Sequence, residues 1–340
     1  MMAKLQNNKA VTVTMEAIAQ DLDISISTVS RTFTRSHLVN ATTRQKIKEY
    51  CEKLNYRPNL NARAIATKKT NTIGFLARNI SQIQNFEGFA YNLEQILRQN
   101  GYSLQIELGH SEPDRENQIV ESMLDRLIDG VIVCSRHYTG SIEAVETLRK
   151  SLTPFVVLGY YHDQTVNQIV EDLSSGARAI TKHLIDFNHS KIALITYQEG
   201  DPRISGYKKA CREAAIKIDD GLIYRVSPQM GNLDEIIDDL VKKGATALIA
   251  MHDQMAAFIY RICHRRKIMI PGDLAIASIA CIGETDIWEP PLTVYEVSQE
   301  DFASSIGAML LDKIRDPNAP TRIIHFGGRL IVRESTAGLR

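Results

Sequence analysis

Arg31 is the side chain whose type and setting most directly suggest chemistry. It lies in the run Ser25-Ile26-Ser27-Thr28-Val29-Ser30-Arg31-Thr32-Phe33-Thr34. Val29 and Phe33 stand four apart and predict one buried face of a helix, leaving Ser27, Ser30, Arg31 and Thr34 on the other side. A guanidinium fork matches the two acceptors that guanine shows in the major groove, so Arg31 is expected to read a base. Ser27 and Thr28 suit bases or phosphates, and Ile26 suits a thymine methyl group. The competing reading is a three-helix bundle without a partner.

The elements around this run decide between the two. Met15, Ile18, Ala19 and Leu22 recur at helical spacing, and Thr14 is placed to cap that helix. Ser25 caps the second helix, which is expected to end near Phe33. A third, from about Thr42 to Leu54, repeats the pattern with Ile47, Tyr50, Cys51 and Leu54. Two short helices joined by a tight turn, with a third packed on them, is the layout of a helix-turn-helix reader. Charge agrees. Residues 1–70 hold twelve Lys and Arg against five Asp and Glu, a surplus of seven, although the whole chain balances 40 against 40. A basic head on an acidic body points to a polyanion at one end only.

Other chemistry is harder to find. The sequence has no G-x-G-x-x-G, no Walker-type phosphate loop, no G-x-S-x-G and no H-E-x-x-H, so catalysis is not expected. Five scattered cysteines, none in a C-x-x-C pair, suggest neither a disulfide framework nor a metal site, and no cofactor is expected. No apolar run reaches the roughly 18 residues that span a bilayer. The first residues carry no secretory signal, so a cytoplasmic location is expected.

Beyond Lys69 the pattern changes. Apolar runs at Thr72–Ala77, Ser103–Leu108, Gly130–Cys134, Phe155–Leu158, Lys191–Thr196, Leu222–Val226, Thr246–Ala250 and Asp273–Ile279 are separated by amphipathic stretches. Such alternation implies an α/β body of parallel sheets covered by helices. Two sets of strands suggest two lobes, with a ligand cleft at the strand ends.

The run VTMEAIAQDLDISISTVSRTF, followed by TTRQKIKEYCEKLNYRPNLNARAIATKKTNTIGF, resembles the head and hinge of the lactose/galactose-repressor family. Gly176-Ala177-Arg178, Arg203-Ile204-Ser205-Gly206-Tyr207, Pro290-Pro291-Leu292-Thr293 and the closing RLIVRESTAG extend the likeness over nearly the whole chain. The resemblance implies a helix-turn-helix head over 1–60, a hinge over 61–70 and a two-lobed, periplasmic-binding-protein-like core over 71–340. Lobe one is expected at about 71–167 and 297–325, and lobe two at about 168–296 and 326–340. It further implies a homodimer, without a membrane contact, on a pseudo-palindromic operator in double-stranded DNA. The chain's end at Arg340, soon after the closing strand, favours a dimer over a tetramer.

The DNA-contacting set implied is Thr14, Ser25, Ile26, Ser27, Thr28, Arg31, Asn59, Arg63, Ile65 and Lys68. Ile65 takes the place of the family's minor-groove Leu wedge, and its β-branch makes the wedge blunter. Arg63, Lys68 and Lys69 supply phosphate contacts. In the cleft, Arg203 matches the arginine that holds the family's effector. His252 stands for the usual Asn in an A-N-D-x-M pattern ahead of Asp253. Arg78 follows the first core strand, and Phe86 and Tyr160 supply apolar walls. Two acids the family uses for sugar hydroxyls are missing, at Ala277-Ser278-Ile279-Ala280-Cys281 and at Gly159. Their loss, with Arg78 and His252 beside Arg203, tilts the cleft positive. An anionic effector such as a sugar phosphate is therefore expected. The alternative is a degenerate pocket, with control by a protein partner or by none. A metabolite sensor that regulates no genes is disfavoured by the head.

Overall fold

The computed structural model describes residues 13–56, 64, 67, 69–77, 86–110, 112–134, 142–227, 229–279 and 285–337. The chain divides into two compact units, Met1–Asn71 and Thr72–Arg340.

The first unit holds three helices. Helix α1 (Met15–Asp21) is capped by the Thr14 hydroxyl, which accepts from the Ala17 N–H at 3.3 Å. The tight turn to α2 (Ile26–Thr34) passes through Asp23 at φ 53°, and Ser25 caps α2 by accepting from Thr28 N–H at 3.2 Å. A 3-10 turn at Ser36–Leu38 leads to α3 (Ala41–Lys53), capped by Asn40. Ile18, Ala19, Val29, Ile47 and Cys51 form the core, with Met15, Leu22, Phe33 and Tyr56 packed around it. The Tyr50 hydroxyl donates to Asp21 at 2.7 Å and ties α3 to α1. This core is small: truncating Ile18 or Ile47 to Ala is expected to cost about 2–5 kcal/mol.

The second unit contains two six-stranded sheets. The first has the order β11-β5-β4-β3-β1-β2, with β1 Thr72–Ala77, β2 Ser103–Leu108, β3 Gly130–Cys134, β4 Phe155–Leu158, β5 Gln168–Glu171 and β11 Ile323–Phe326. The second has the order β12-β10-β9-β8-β6-β7, with β6 Ile192–Thr196, β7 Ile223–Arg225, β8 Ala247–Ala250, β9 Ala275–Ser278, β10 Thr293–Glu296 and β12 Arg329–Ile331. Every pairing is parallel except β10 with β12. Parallel strands need crossover connections, and the helices supply them. These are α4 (Phe86–Gln99), α5 (Pro113–Asp125), α6 (Ile142–Lys150), α7 (Leu173–Asp186), α8 (Pro202–Glu213), α9 (Leu233–Lys242), α10 (Asp253–Arg266) and α11 (Gln299–Arg315). Covered on both faces, β3, β6 and β8 are buried at every residue.

The chain passes from one sheet to the other three times. It crosses after β5, returns between β10 and α11, whose Phe302 packs on Phe89 and Phe326, and crosses again between β11 and β12. The first crossing corrects the expected lobe boundary: residues 168–171 belong to the first sheet, not the second lobe. Gln168 hides this strand from a search for apolar runs. Its buried amide accepts from Tyr161 N–H and donates to the Asp163 carbonyl, both at 2.8 Å. At the other crossings Gly328 comes so close to Glu296 that a Cβ would lie 2.2 Å from its carbonyl oxygen.

Candidate functional site

On α2 the exposed arc holds Ile26, Ser27 and Arg31, with Ser30 and Thr34 half-buried beside them, while Val29 and Thr32 face inward. The Arg31 side chain makes no hydrogen bond or ion pair with a described residue. Four of the sequence-expected contact residues also have local work. Thr14 and Ser25 are helix caps, and the Ser25 hydroxyl lies 2.8 Å from both the Ser27 and Thr28 hydroxyls. Capping fixes where α2 begins and so aims Ile26 and Ser27 outward. Arg44, not singled out from sequence, donates to the Ser36 carbonyl at 3.1 Å and pins the turn after α2. Asn59, Arg63, Ile65 and Lys68 lie outside the described residues; of the hinge, Ala64 and Thr67 are described with helical backbone, and Lys69 and Thr70 without it.

In the second unit, three of the expected effector residues sit at the carboxyl ends of neighbouring strands β6 and β8. Arg203 is in the first turn of α8 and only 7% exposed. Asp201 caps that helix, accepting from Arg203 N–H at 2.9 Å, and its carboxylate also takes both bonds of Arg203 Nη1, at 3.2 and 3.0 Å. The Arg203 Nε is buried and has no partner among the described residues. His252 caps α10: its Nδ1 accepts from Met255 N–H at 3.0 Å. Asp253, buried, accepts from Gln254 N–H at 2.7 Å.

Tyr197, which sequence reasoning missed, joins these residues. It directly follows β6, its hydroxyl lies 3.2 Å from His252 Nε2, and the Arg203 charge partly offsets the burial that raises its pKa. A tyrosine at the end of a buried strand run was the available signal. The remaining candidates belong to the first sheet. Phe86 opens α4 and packs on Phe75 at 6.1 Å, half-buried against that lobe's core. Tyr160 is exposed beyond β4, next to Gly159 at φ 111°. Its neighbour Tyr161 points inward to Glu146 at 2.8 Å, and its phenol is pushed up to about 12, by burial first and then by that bond. Arg78 lies outside the described residues. The expected positive tilt is smaller than the sequence suggests, because Asp201 sits directly on Arg203.

Two surface hollows of about 430 Å³ lie elsewhere, one along α5 and β2 at Glu107, Arg115 and Arg126, the other at Asp286, Val332 and Arg333. Neither contains a candidate effector residue. Among the described residues no His, Cys, Asp and Glu group is placed to hold a metal ion, and no helix is long and apolar enough to cross a membrane. The described cysteines are buried and free, and burial pushes the Cys263 thiol up to about 11, which makes it inert.

Comparison with known proteins fits both units. Residues 14–59 match the model of bacterial regulatory proteins of the lacI family, and residues 181–336 match a periplasmic binding protein-like domain. The head is thus of the lacI type and the core of the periplasmic binding protein-like type. Catabolite control protein A of Priestia megaterium is 28% identical over 334 residues, covering 95% of this chain and 99% of its own. The HTH-type transcriptional repressor PurR of Vibrio atlanticus is 24% identical over 341 residues, covering 96% and 99%. Among solved structures, the lac repressor dimer bound to operator and the anti-inducer ONPF superposes with a TM-score of 0.82 at 21% identity, covering 95% of this chain and 99% of that one. With a helix-turn-helix head of the lacI type and a two-sheet core, the chain is a DNA-binding transcription regulator, not an enzyme.

Proposed function

We propose that this regulator is a repressor that binds a pseudo-palindromic operator as a homodimer, and that a small molecule held between the lobes controls it from the cytoplasm. One head covers only a half-site, so twofold symmetry of the protein requires near-symmetry of the DNA. In this reading Arg31 is the base reader, supported by Ile26, Ser27 and Thr28, while Thr14 and Ser25 contact the backbone from the helix starts. Asn59, Arg63, Ile65 and Lys68 act at the hinge. The observation that carries the reading is the exposed arc of α2, with an unpaired Arg31 at its centre, on a helix whose opposite face is fully used for packing.

The effector is held by Arg203, His252 and Asp253 from the second lobe and by Arg78, Phe86 and Tyr160 from the first. Its class is anionic, such as a sugar phosphate or organic acid. Because Asp201 offsets the Arg203 charge, the support for an anion comes from unused donors rather than net charge. A degenerate pocket is the second reading, favoured by the same Asp201–Arg203 pair, which occupies part of the guanidinium without any ligand.

Two measurements test this. Gel shifts on genomic fragments at low salt should show specific complexes; indifference to every duplex would end the regulator reading. A thermal-shift panel of phosphorylated and carboxylated metabolites should raise the core's midpoint, by the equivalent of about 2.7 kcal/mol at a hundred times the dissociation constant. A flat response across the panel favours the degenerate pocket.

A further inference from the structure

We infer that Tyr197 and Arg203 form a two-donor subsite for one oxyanion group of the effector, and that His252 sets the direction of the Tyr197 proton. The inference rests on the cleft being the effector site.

The direction follows from a hydrogen bond on the far side of the imidazole. His252 Nδ1 accepts from the Met255 N–H at 3.0 Å, so that nitrogen keeps its lone pair and the neutral ring carries its proton on Nε2. Nε2 lies 3.2 Å from the Tyr197 oxygen and therefore donates to it. The phenol oxygen is an acceptor in this contact, and its own O–H is left to point elsewhere. No described residue receives that proton. Tyr197 itself is half-buried.

Arg203 supplies the second donor. Its Nη1 is committed to Asp201, and its Nε–H is buried without an acceptor. A buried donor left unpaired is costly, and a ligand oxygen that reaches it recovers that cost. The Arg203 charge also works against the burial that raises the Tyr197 pKa. Both belong to the segment that leaves β6. The acids nearby are already engaged, Asp201 by the α8 cap and Arg203, Asp253 by Gln254 N–H. Two donors beside engaged acids suit a phosphate or carboxylate, whose oxygens only accept. A neutral polyol oxygen would meet the same donors without the charge that strengthens both bonds. The His-for-Asn departure thus has a use: an Asn keeps a cap but does not hold the tyrosine hydroxyl in this orientation.

The experiment uses the full chain, with calorimetric titration of inorganic phosphate, glycerol 3-phosphate and glucose 6-phosphate, and of glycerol and glucose as neutral counterparts. At least one phosphorylated probe should bind and its neutral counterpart should not. Tyr197→Phe should weaken that binding about tenfold or more. His252→Asn should weaken it too, yet leave the ligand-free melting midpoint nearly unchanged, because Asn also caps helices. In the double variant the two losses should not add, since His252 acts through Tyr197. Full affinity in Tyr197→Phe, additive losses, or binding by the neutral probes alone would overturn the subsite while leaving a cleft effector in place. Binding by no probe at all would overturn both.

Discussion

The head and the cleft use arginine in opposite ways. Arg31 stands exposed on α2, and no described residue of the head holds its side chain; the ten residues from Ser25 to Thr34 contain both the reader and the packing that aims it. Arg203 is buried against Asp201, and its cluster draws on Tyr197 and His252, 55 positions apart and on two strand ends. A reading head must present its donors to a partner that arrives from outside, so its chemistry is cheap to remove and the fold does not notice. An effector cluster must bias the arrangement of a packed body, so its chemistry and its stability are one network. Substitutions that separate folding from function should therefore behave differently in the two regions.

The largest effect is expected at Arg203. Replacing it with Ala leaves the Asp201 carboxylate, 5% exposed, without its counter-charge, and breaking such a buried pair costs about 3–5 kcal/mol. Calorimetry should show the core transition fall while the head's own transition stays in place. A core that melted unchanged would mean the pair contributes nothing to folding, and the contrast between the regions would collapse.

Next comes Gly206, three residues along α8. A Cβ there would lie 1.9 Å from the Ser174 carbonyl oxygen and 3.0 Å from Arg178 N, all backbone that cannot turn aside. Gly206→Ala must push α8 off α7, at a cost of about 3 kcal/mol, the upper end of overpacking effects. Effector binding should weaken with it, because α8 carries Arg203. Equal thermal midpoints for the variant and the parent chain would show that the two helices separate more easily than their backbone contact implies.

How much of this was legible in the sequence follows the same division. The head could be read nearly to the residue: Thr14 and Ser25 are the caps they were expected to be, and α2 ends one position beyond Phe33. Its helices are short, local and amphipathic, so periodicity and capping contain most of the answer. Strands β1, β3 and β4 were equally plain, because buried parallel strands are unbroken apolar runs, and the edge strand β2 showed itself by alternation in SLQIEL instead. β5 was not, because Gln168 spends its polar atoms on the backbone of the turn before it, a satisfaction that composition does not reveal. The cleft was half legible. The likeness of Arg203-Ile204-Ser205-Gly206-Tyr207 located Arg203, but the charge argument failed to count Asp201, two residues away. Asp201-Pro202 is a recognisable helix start, yet only the folded first turn shows that the capping carboxylate also lies against the guanidinium.

Arg31→Ala should sharpen the contrast from the other side. The expected loss is about 1–3 kcal/mol of discrimination between operator and altered half-sites, with binding to unrelated duplex much less affected. Stability should change by less than about 0.5 kcal/mol, as for other exposed positions. Competition gel shifts at fixed salt measure the first quantity and thermal melting the second. Retained preference would move the reading role to Ile26 or Ser27; a large drop in melting temperature would show that Arg31 is a structural residue after all.

The smallest effect is a pH dependence confined to the core. His183 and His189 are 8% and 3% exposed, bonded to Thr336 at 2.8 Å and Thr246 at 2.9 Å, and burial lowers both pKa values from the usual 6.5. Each ring stays neutral in the folded core at pH values where the unfolded chain has already taken up a proton. Stability is therefore fully present above about pH 6.5 and declines as the pH falls from there toward the folded-state values. The head has no buried histidine among its described residues, His37 being exposed, so its transition should hold over the same range. Melting curves at pH 7.5, 6.5 and 5.5 follow both regions at once. A core midpoint that stayed level or rose on acidification would mean these imidazoles are charged in the folded protein, and that the threonine contacts, rather than burial, govern their titration.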